Sequence, residues 1–355
     1  MKQQPCALVM AGGTGGHIFP GLAVAQALQQ RGWRVHWLGA PNSMESRLVP
    51  QRGFALELVE FSGVRGKGIK TLLQLPWRLM RAVWQSLQVL RRVKPDVVLG
   101  LGGYITLPGG LVSALAGKPV LLHEQNSIAG LSNKLLSLVA RRVFTAFPEV
   151  LPKAQWVGNP LRSEFLNQAP PAQRFAARTG PLRVVVVGGS LGAKALNDIV
   201  PQAVARIPLA LRPQITHQSG EKQMDELRRN YAAAGVEADL LPFIDNTAQA
   251  FAQADLVICR AGASTVTELA ALGVAALFVP FPFAVDDHQT SNARFLVDQG
   301  GGWLMPQDQL TPDVLAQFLQ QTDRPALLAR AVQAHTMQQL QATEAIVKVC
   351  EELTA

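Results

Sequence analysis

Residues 254–273 read A-D-L-V-I-C-R-A-G-A-S-T-V-T-E-L-A-A-L-G, and this stretch decides the fold. The apolar run 256–258 predicts a buried strand, residues 260–264 a tight loop, and residues 265–272 a helix. Such a unit aims the free N–H groups of the helix at the carboxyl edge of a sheet, where anions bind. Glu268 lies about one turn inside the helix and would suit a hydroxyl pair such as a ribose diol. The stretch indicates a nucleotide site, and an ordinary strand–helix unit with a capped helix explains it equally well.

The composition indicates a large globular chain. Its 355 residues exceed the usual size of one hydrophobic core, so two domains are expected. Cys6, Cys259 and Cys350 are far apart and odd in number, which excludes a disulfide framework and a cysteine-based metal cage and fits a reducing cytoplasm. No apolar run reaches the ~18 residues of a membrane span.

Strand and helix signals alternate along the chain, which predicts parallel sheets. Strands are expected at 7–11, 33–38, 96–99, 119–122 and 143–145, and in the second half at 183–187, 214–217, 239–243, 256–259 and 275–280. A glycine-rich loop follows the first strand of each half, so the second half echoes the first. The polar segment 167–181 indicates a domain boundary, and residues 324–353 are expected to be mostly helical after Asp323 as N-cap.

The first glycine loop, G-G-T-G-G-H at 12–17, lets the backbone approach a ligand closely. Its spacing matches neither the dinucleotide fingerprint nor a Walker loop. His17 stands at the start of the following helix, where the helix dipole favours the neutral imidazole that a general base requires. A solvated loop histidine is the plainer interpretation.

The second glycine loop, G-G-S-L-G at 188–192, has two interpretations. As G-x-S-x-G it resembles a nucleophile elbow, with Ser190 as nucleophile and Asp255 with His288 or His335 as partners. As a phosphate loop it needs only Ser190 and free backbone N–H groups, and its echo of the first loop favours this interpretation.

The segment D-D-H-Q-T-S-N at 286–292 could hold a metal ion or could simply begin a helix. The chain contains no Asp-x-Asp, which argues against a metal-bound nucleotide diphosphate. Gln289 and Asn292 would share one helix face, suited to sugar hydroxyls.

The net charge of +8 is concentrated in residues 61–95, which carry eight basic residues and no acidic one. A nucleic-acid-binding protein would more often spread its basic face over several elements, so no nucleic-acid partner is expected. After Pro76, helical spacing predicts core positions at Trp77, Met80, Trp84, Leu87 and Leu90. Other apolar residues lie among basic ones, which suits an anionic membrane surface. The predicted membrane residues are Ile69, Leu72, Leu73, Leu75, Leu79, Lys67, Lys70, Arg78 and Arg81.

Seven motifs in order resemble the MurG family, the transferases that add N-acetylglucosamine to the lipid-linked precursor of bacterial peptidoglycan. They are G-G-T-G-G-H, G-L-G-G-Y, H-E-Q-N, G-N-P-L-R, G-G-S-L-G-A, R-A-G-A-S-T-V-T-E and D-D-H-Q-T-S-N-A. The resemblance covers nearly the whole chain; Leu191 stands where the family often has glutamine. It implies a GT-B architecture, that is, an α/β chain of two Rossmann-like, doubly wound parallel-sheet domains with a cleft between them. The domains would be 1–162, onto which a C-terminal helix at about 337–355 packs back, and 163–336.

The resemblance also implies the substrate sites. The second domain would hold UDP-N-acetylglucosamine, with the backbone at Ile244 at the uracil, Glu268 at the ribose diol, and Ser190 with residues 263–267 at the diphosphate. The implied donor-binding residues are Thr14, Gly15, Gly16, Asn126, Arg162, Ser190, Ile244, Ala263, Ser264, Thr265, Val266, Thr267, Glu268 and Gln289. The acceptor, undecaprenyl-diphosphate-linked N-acetylmuramyl-pentapeptide, would lie near Gly102, Gly103 and Tyr104.

The expected reaction is an inverting transfer to the C4 hydroxyl of the acceptor, with His17 as the first choice of base and Glu124 as the second. No metal ion and no other cofactor is expected. The implied location is the cytoplasmic face of the bacterial inner membrane, as a peripheral protein, with other cell-wall synthesis proteins as further partners. The competing hypothesis is a serine hydrolase that uses Ser190.

Overall fold

The computed structural model describes residues 4–61, 63, 73–189 and 191–354. The chain divides into two compact units, Met1–Arg162 with Leu340–Ala355, and Ser163–Gln339. Each unit is an α/β layer structure around its own parallel sheet.

The first unit contains a sheet with the strand order β3-β2-β1-β4-β5-β6-β7, in which all the pairings are parallel. The strands are β1 (Cys6–Met10), β2 (Arg34–Gly39), β3 (Ala55–Leu58), β4 (Val97–Gly100), β5 (Val120–Glu124), β6 (Arg142–Thr145) and β7 (Gln155–Trp156). Up to residue 162, the described part of the chain contains the helices α1 (Gly15–Gln30), α2 (Met44–Gln51), α3 (Leu75–Val93), α4 (Thr106–Leu115) and α5 (Leu131–Leu136).

Strand β1 shows why this sheet is buried on both faces. Ala7 and Val9 join a hydrophobic cluster with α1, whereas Leu8 and Met10 point the other way, into a cluster with α3 and α4. Successive strand residues point to opposite faces, so a continuous apolar run is what a doubly covered parallel sheet requires.

The second unit repeats this design with the strand order β10-β9-β8-β11-β12-β13, again fully parallel. Its strands are β8 (Arg183–Val187), β9 (Gln214–Gln218), β10 (Asp239–Leu241), β11 (Leu256–Cys259), β12 (Ala276–Phe278) and β13 (Gly302–Leu304). Its helices are α6 (Pro171–Ala176), α7 (Lys194–Ala205), α8 (Met224–Ala234), α9 (Thr247–Gln253), α10 (Ala263–Leu272), α11 (His288–Val297), α12 (Pro312–Gln321) and α13 (Arg324–Thr336). Short 3-10 turns lie at Ser163–Phe165, Leu209–Leu211, Glu221–Gln223 and Val285–Asp287.

The order of the strands reverses at one point in each sheet, beside β1 and β4 in the first and beside β8 and β11 in the second. Ligands of open parallel sheets bind at the carboxyl ends of the strands at such a switch point. All four glycine-containing loops singled out in the sequence follow these four strands. The prediction of two Rossmann-like parallel sheets is therefore confirmed, with β8 and β11 at the expected residues. Strands β3, β7 and β13 were not predicted.

The C-terminal segment forms two helices. Asp323 is the N-cap of α13, and its carboxylate accepts a hydrogen bond from the Ala326 N–H, as predicted. The last helix, α14 (Ala342–Glu352), packs on α1 within the first unit, where Arg31 forms an ion pair with Glu344 at 2.6 Å.

Helix α3 corrects one expectation. Trp77, Met80 and Trp84 are exposed by 70%, 59% and 59%, so the prediction that they belong to the core is wrong. The helix buries the face of Ala82 and Val89 instead, because these side chains pack closely on the sheet. Leu90 is buried and Leu87 is partly buried against the same cluster, as predicted, so the apolar spacing identified the core face only towards the end of the helix.

The predicted membrane residues of this region are distributed unevenly. Leu73 is 77% exposed, whereas Leu75 and Leu79 pack partly against the core. Arg81 forms an ion pair with Glu60 at 2.8 Å, and Arg78 also lies on α3. Ile69, Leu72, Lys67 and Lys70 lie outside the described residues. Within the described part of the chain, no helix has the length and apolarity needed to span a bilayer.

Candidate active site

The switch point of the first sheet brings two glycine loops into backbone contact. The Gly12 N–H donates to the Gly102 carbonyl at 3.4 Å, and a Cβ on Gly103 would lie 2.4 Å from the Gly12 oxygen. Gly102 and Gly103 also have φ values of +98° and +90°, which strongly favour glycine. Tyr104 follows them and is 50% exposed. The three predicted acceptor residues therefore lie directly beside the first glycine loop.

Helix α1 begins at this loop with Thr14 as N-cap, and the Thr14 side chain makes no capping hydrogen bond. Gly15 and Gly16 form its first turn. The neighbouring Gly13 N–H donates to the Glu45 carboxylate at 3.2 Å. The buried Glu45 side chain, which sequence reasoning missed, thus fixes the glycine loop from behind.

His17, the first candidate base, lies at one end of a chain of polar side-chain contacts. Its Nδ1 lies 2.8 Å from Gln125 Oε1, and Gln125 Nε2 lies 3.0 Å from His123 Nδ1. His123 Nε2 lies 2.8 Å from the Gly158 carbonyl oxygen. Burial lowers the pKa of His123 to about 4, so this ring is neutral at physiological pH. Sequence reasoning missed both His123 and Gln125, although their i, i+2 spacing at the end of a strand places them on one side.

Glu124, the second candidate base, points away from this chain of contacts. Its carboxylate accepts hydrogen bonds from the Asn126 N–H at 2.9 Å, the Asn126 side chain at 3.3 Å, the Gly130 N–H at 3.1 Å and Asn133 Nδ2 at 2.9 Å. The side chain is 2% exposed. A carboxylate held by four donors organises the loop that carries Asn126 and is poorly suited to take a proton.

In the second unit, α10 begins at the carboxyl end of β11, as the opening stretch predicts. Its N-cap is Gly262, and no side chain of the described residues caps the first N–H groups. The Ser264 hydroxyl is buried at this terminus and has no hydrogen-bond partner among the described residues. Thr267 Oγ1, by contrast, donates within the helix to the carbonyl oxygens of Ala263 and Ser264. Uncapped N–H groups beside an unpaired hydroxyl form a site for an anion.

Two amide side chains hold the second glycine loop at the edge of the sheet where α10 begins. Gln218 Nε2 donates to the Gly189 carbonyl at 3.1 Å, and Gln223 Nε2 donates to the Leu191 carbonyl at 2.9 Å. A Cβ on Gly192 would lie 1.8 Å from a backbone oxygen, so glycine is required there. Ser190 lies outside the described residues. The Leu191 side chain is 79% exposed.

The remaining donor residues lie around the same edge of the second sheet. Glu268 is half-buried on α10. Burial, and to a smaller extent the Glu268 carboxylate, raises the pKa of the Cys259 thiol at the end of β11. Ile244 is buried between β10 and α9. Gln289 on α11 accepts a hydrogen bond from the Phe281 N–H at 2.9 Å, which leaves its amide NH₂ as a donor. Thr265 and Val266 complete the first turn of α10.

The predicted donor residues are divided between the units. Thr14, Gly15, Gly16, Asn126 and Arg162 belong to the first, and all the others to the second. The Arg162 guanidinium lies 5.7 Å from the centre of the Phe19 ring.

The position of Asp255 excludes it as the acid of a catalytic triad with Ser190. It lies at the amino end of β11, the end opposite to the glycine loop. Its fully buried carboxylate is 2.8 Å from Arg178 and 3.2 Å from Arg324. These ion pairs give Asp255 a structural role in the second unit.

The segment at 286–288 forms no metal centre among the described residues, where no group of three potential ligands occurs. Asp286 and Asp287 adopt left-handed φ values of 54° and 51°, and Asp287 accepts a hydrogen bond from the Thr290 hydroxyl. Asn292 is buried and donates to the Ala261 carbonyl at 3.1 Å, so it fixes the loop before α10.

Comparison with known proteins identifies the family. Residues 7–145 match the N-terminal domain of glycosyltransferase family 28, and residues 183–349 match its C-terminal domain. A protein of Paracidovorax citrulli, UDP-N-acetylglucosamine--N-acetylmuramyl-(pentapeptide) pyrophosphoryl-undecaprenol N-acetylglucosamine transferase, is 68% identical, and the alignment covers 100% of both chains. An Azoarcus protein of the same name is 61% identical over 98% of this chain and 97% of its own. The crystal structure of Acinetobacter baumannii MurG superposes with a TM-score of 0.85 at 41% identity over 98% of this chain and 99% of its own.

The chain belongs to the MurG family. The resemblance seen in the seven motifs is thereby confirmed, as is the GT-B fold class. A more distant glycosyltransferase, VinC, shares the fold with a TM-score of 0.68 at 16% identity over 98% of this chain and 100% of its own. Nothing in these comparisons supports a serine hydrolase.

Proposed function

We propose that this MurG-family protein transfers N-acetylglucosamine from UDP-N-acetylglucosamine to the C4 hydroxyl of undecaprenyl-diphosphate-linked N-acetylmuramyl-pentapeptide, which converts lipid I to lipid II in peptidoglycan synthesis. The observation that carries this proposal is the N-terminus of α10, with uncapped N–H groups and the unpaired Ser264 hydroxyl at the switch point. The names of the full-length relatives state the same donor sugar and acceptor.

The donor diphosphate binds at this terminus. The N–H groups of the first turn donate to phosphate oxygens, and the helix dipole favours their negative charge. Ser264 supplies its hydroxyl, and Glu268 accepts from the ribose hydroxyls about one turn further along the helix. Ile244 offers its backbone to the uracil, and the Gln289 NH₂ group donates to the sugar. When UDP leaves, the same donors stabilise the charge that develops on it.

The acceptor binds at Gly102, Gly103 and Tyr104 on the first unit. His17 removes the proton of the C4 hydroxyl, and that oxygen bonds to the anomeric carbon as the bond from this carbon to the UDP oxygen breaks. The proton ends on His17 and the electron pair on UDP. Attack on the face opposite to the UDP oxygen inverts the anomeric carbon, so the α-linked donor sugar becomes β-1,4-linked. Glu124 holds the Asn126 loop and does not take the proton.

The exposed apolar face of α3 contacts the membrane that contains the lipid acceptor. Trp77, Met80 and Trp84 form this face, the exposed Leu73 lies just before the helix, and basic residues of the same segment attract anionic headgroups. Tryptophan suits the interfacial level of a bilayer, because its ring is amphipathic. The protein therefore acts as a peripheral protein on the cytoplasmic face of the inner membrane.

The test mixes the purified chain with UDP-N-acetylglucosamine and a short-chain lipid I analogue. We expect one UDP released for each β-1,4-linked disaccharide formed, and no release with a C4-deoxy acceptor. Absence of the disaccharide with a competent acceptor would overturn the proposal. Labelling of Ser190 by a fluorophosphonate, with loss of hydrolytic activity, would instead support the hydrolase.

A further inference from the structure

A continuous chain of hydrogen bonds runs from His17, in the first turn of α1, to the backbone at Gly158. It passes through Gln125 and His123, which are 1% and 0% exposed. The contacts measure 2.8 Å from His17 to Gln125, 3.0 Å from Gln125 to His123, and 2.8 Å from His123 to Gly158. All four residues belong to the first unit.

The far end of the chain fixes the proton of His123. The Gly158 carbonyl oxygen can only accept, so His123 Nε2 carries the hydrogen and donates it. A neutral imidazole carries one proton, and burial keeps this ring neutral. His123 Nδ1 is therefore an acceptor.

That acceptor fixes the orientation of the Gln125 amide. Gln125 Nε2 lies 3.0 Å from His123 Nδ1 and 3.2 Å from the His123 carbonyl oxygen. With the amide reversed, its oxygen would face two acceptors and lose both hydrogen bonds. The amide oxygen therefore faces His17 Nδ1, and at 2.8 Å it must accept a hydrogen from it.

We infer that Gln125 and His123 are positioning residues that hold the His17 imidazole in the tautomer protonated on Nδ1, so that Nε2 remains as the proton acceptor. The inference rests on the proposed function, in which His17 is the base. Its logic is that of the third residue of a catalytic triad, which fixes the tautomer of a histidine through the nitrogen that does not react. Here the fixing group is a neutral amide.

Proton capture leaves this arrangement intact. When His17 Nε2 takes the acceptor's proton, Nδ1 still donates to Gln125, and no other bond of the chain has to change. The site therefore needs no rearrangement at the moment of reaction, which keeps the barrier low. A carboxylate in place of the amide would instead attract the proton to the imidazole before the substrate binds.

The direct test is nitrogen-15 NMR of the whole protein labelled at histidine. Protonated and unprotonated nitrogens of a neutral imidazole have widely separated shifts, and the His17→Gln variant identifies the His17 signals among those of the six histidines. We expect Nδ1 of His17 to be protonated in the wild type, and a mixture of tautomers in Gln125→Leu. A protonated Nε2 in the wild type, or an unchanged tautomer in Gln125→Leu, would overturn the inference.

Kinetics separate this role from a merely structural one. Gln125→Leu should lower kcat about 10- to 1,000-fold with little change in the KM for UDP-N-acetylglucosamine, as for a lost tautomer-fixing partner. Gln125→Glu keeps an acceptor for Nδ1 but attracts a proton to the imidazole, so it should recover part of the lost kcat as the pH is raised, whereas Gln125→Leu should not. A kcat of Gln125→Glu that stays equal to that of Gln125→Leu at every pH would assign Gln125 to packing and contradict the inference.

The matched control is Gln202→Leu, the same substitution at an exposed position of α7, and its kcat should equal that of the wild type. Circular dichroism and thermal unfolding check that each variant is folded. If the wild type transfers no sugar, the proposed function fails, and the tautomer measured by NMR still decides the inference by itself.

Discussion

Replacing Gly102 by alanine tests whether the position of the His17 ring sets the rate. A Cβ at Gly102 would lie 2.9 Å from His17 Cε1 and 3.0 Å from Nδ1, where ordinary contact begins at 3.4 Å. The ring must therefore retreat by about 0.5 Å or more. A misplacement of about 1 Å in an active site can cost about 100-fold, so we expect kcat to fall about 10-fold or more.

Gly117→Ala provides the matched control. Gly117 also has a positive φ, +72°, but a Cβ there would meet nothing within 4 Å. Both variants should lose about 1–2 kcal/mol of unfolding free energy, the usual cost of a left-handed backbone for a residue with a Cβ. Only Gly102→Ala should also lose turnover.

The assay measures UDP release at saturating donor and acceptor, beside urea unfolding and titration of UDP. Affinity for UDP should be unchanged in both variants, because neither Gly102 nor Gly117 is a proposed donor-binding residue and the groups proposed to hold the uracil and the ribose lie on the second unit. If Gly102→Ala keeps the kcat of Gly117→Ala at similar stability, the ring of His17 does not control the rate, and the assignment of the base is refuted.

Three further predictions concern the donor, the membrane and acid stability. Glu268→Gln should weaken UDP binding about 10-fold or more by calorimetry, because a charged acceptor for two hydroxyls is lost, and unchanged affinity would contradict the ribose assignment. Trp77→Glu with Trp84→Glu should abolish flotation with anionic vesicles, whereas Leu209→Glu, at an 80% exposed position of the second unit, should not; equal flotation of both would refute the membrane face. Burial lowers the pKa of His217 to about 3, so only the unfolded chain binds that proton below pH 6.5, and unfolding free energy falls as the pH falls. In urea unfolding between pH 6 and 4.5, His217→Gln should reduce this slope by up to about 1.4 kcal/mol per pH unit, and an unreduced slope would contradict the assignment.

The sequence predicted the sheets well, because buried parallel strands are short apolar runs between glycine-rich loops. Strands β8 and β11 fall on the expected residues for this reason. Strand β3 was missed, since its residues Ala55–Leu58 are half-exposed at the sheet edge and mix apolar with charged side chains. On α3, Trp77 and Trp84 were misassigned, because an exposed apolar stripe and a core-facing stripe have the same helical period.

The motifs of the candidate site could be predicted from the sequence, but the roles of the individual residues could not. In H-E-Q-N, the carboxylate of Glu124 was a candidate base. Successive side chains of a strand point to opposite faces, so Glu124 points away from the side of His123 and Gln125. Which side of β5 faces His17 depends on the pairing of β5 with β4, and the sequence does not state this pairing. Only the three-dimensional structure shows the four hydrogen bonds to the Glu124 carboxylate and the Gln125 contact from which the tautomer of His17 is inferred.

The central claim is that the amino end of α10 binds the diphosphate of the donor. A crystal structure of the full chain with UDP-N-acetylglucosamine tests it most directly. The account predicts phosphate oxygens within hydrogen-bond distance of the Ser264 hydroxyl and of the N–H groups of the first turn of α10, with the ribose at Glu268. A diphosphate bound elsewhere, with the Ser264 hydroxyl still unpaired, would contradict it.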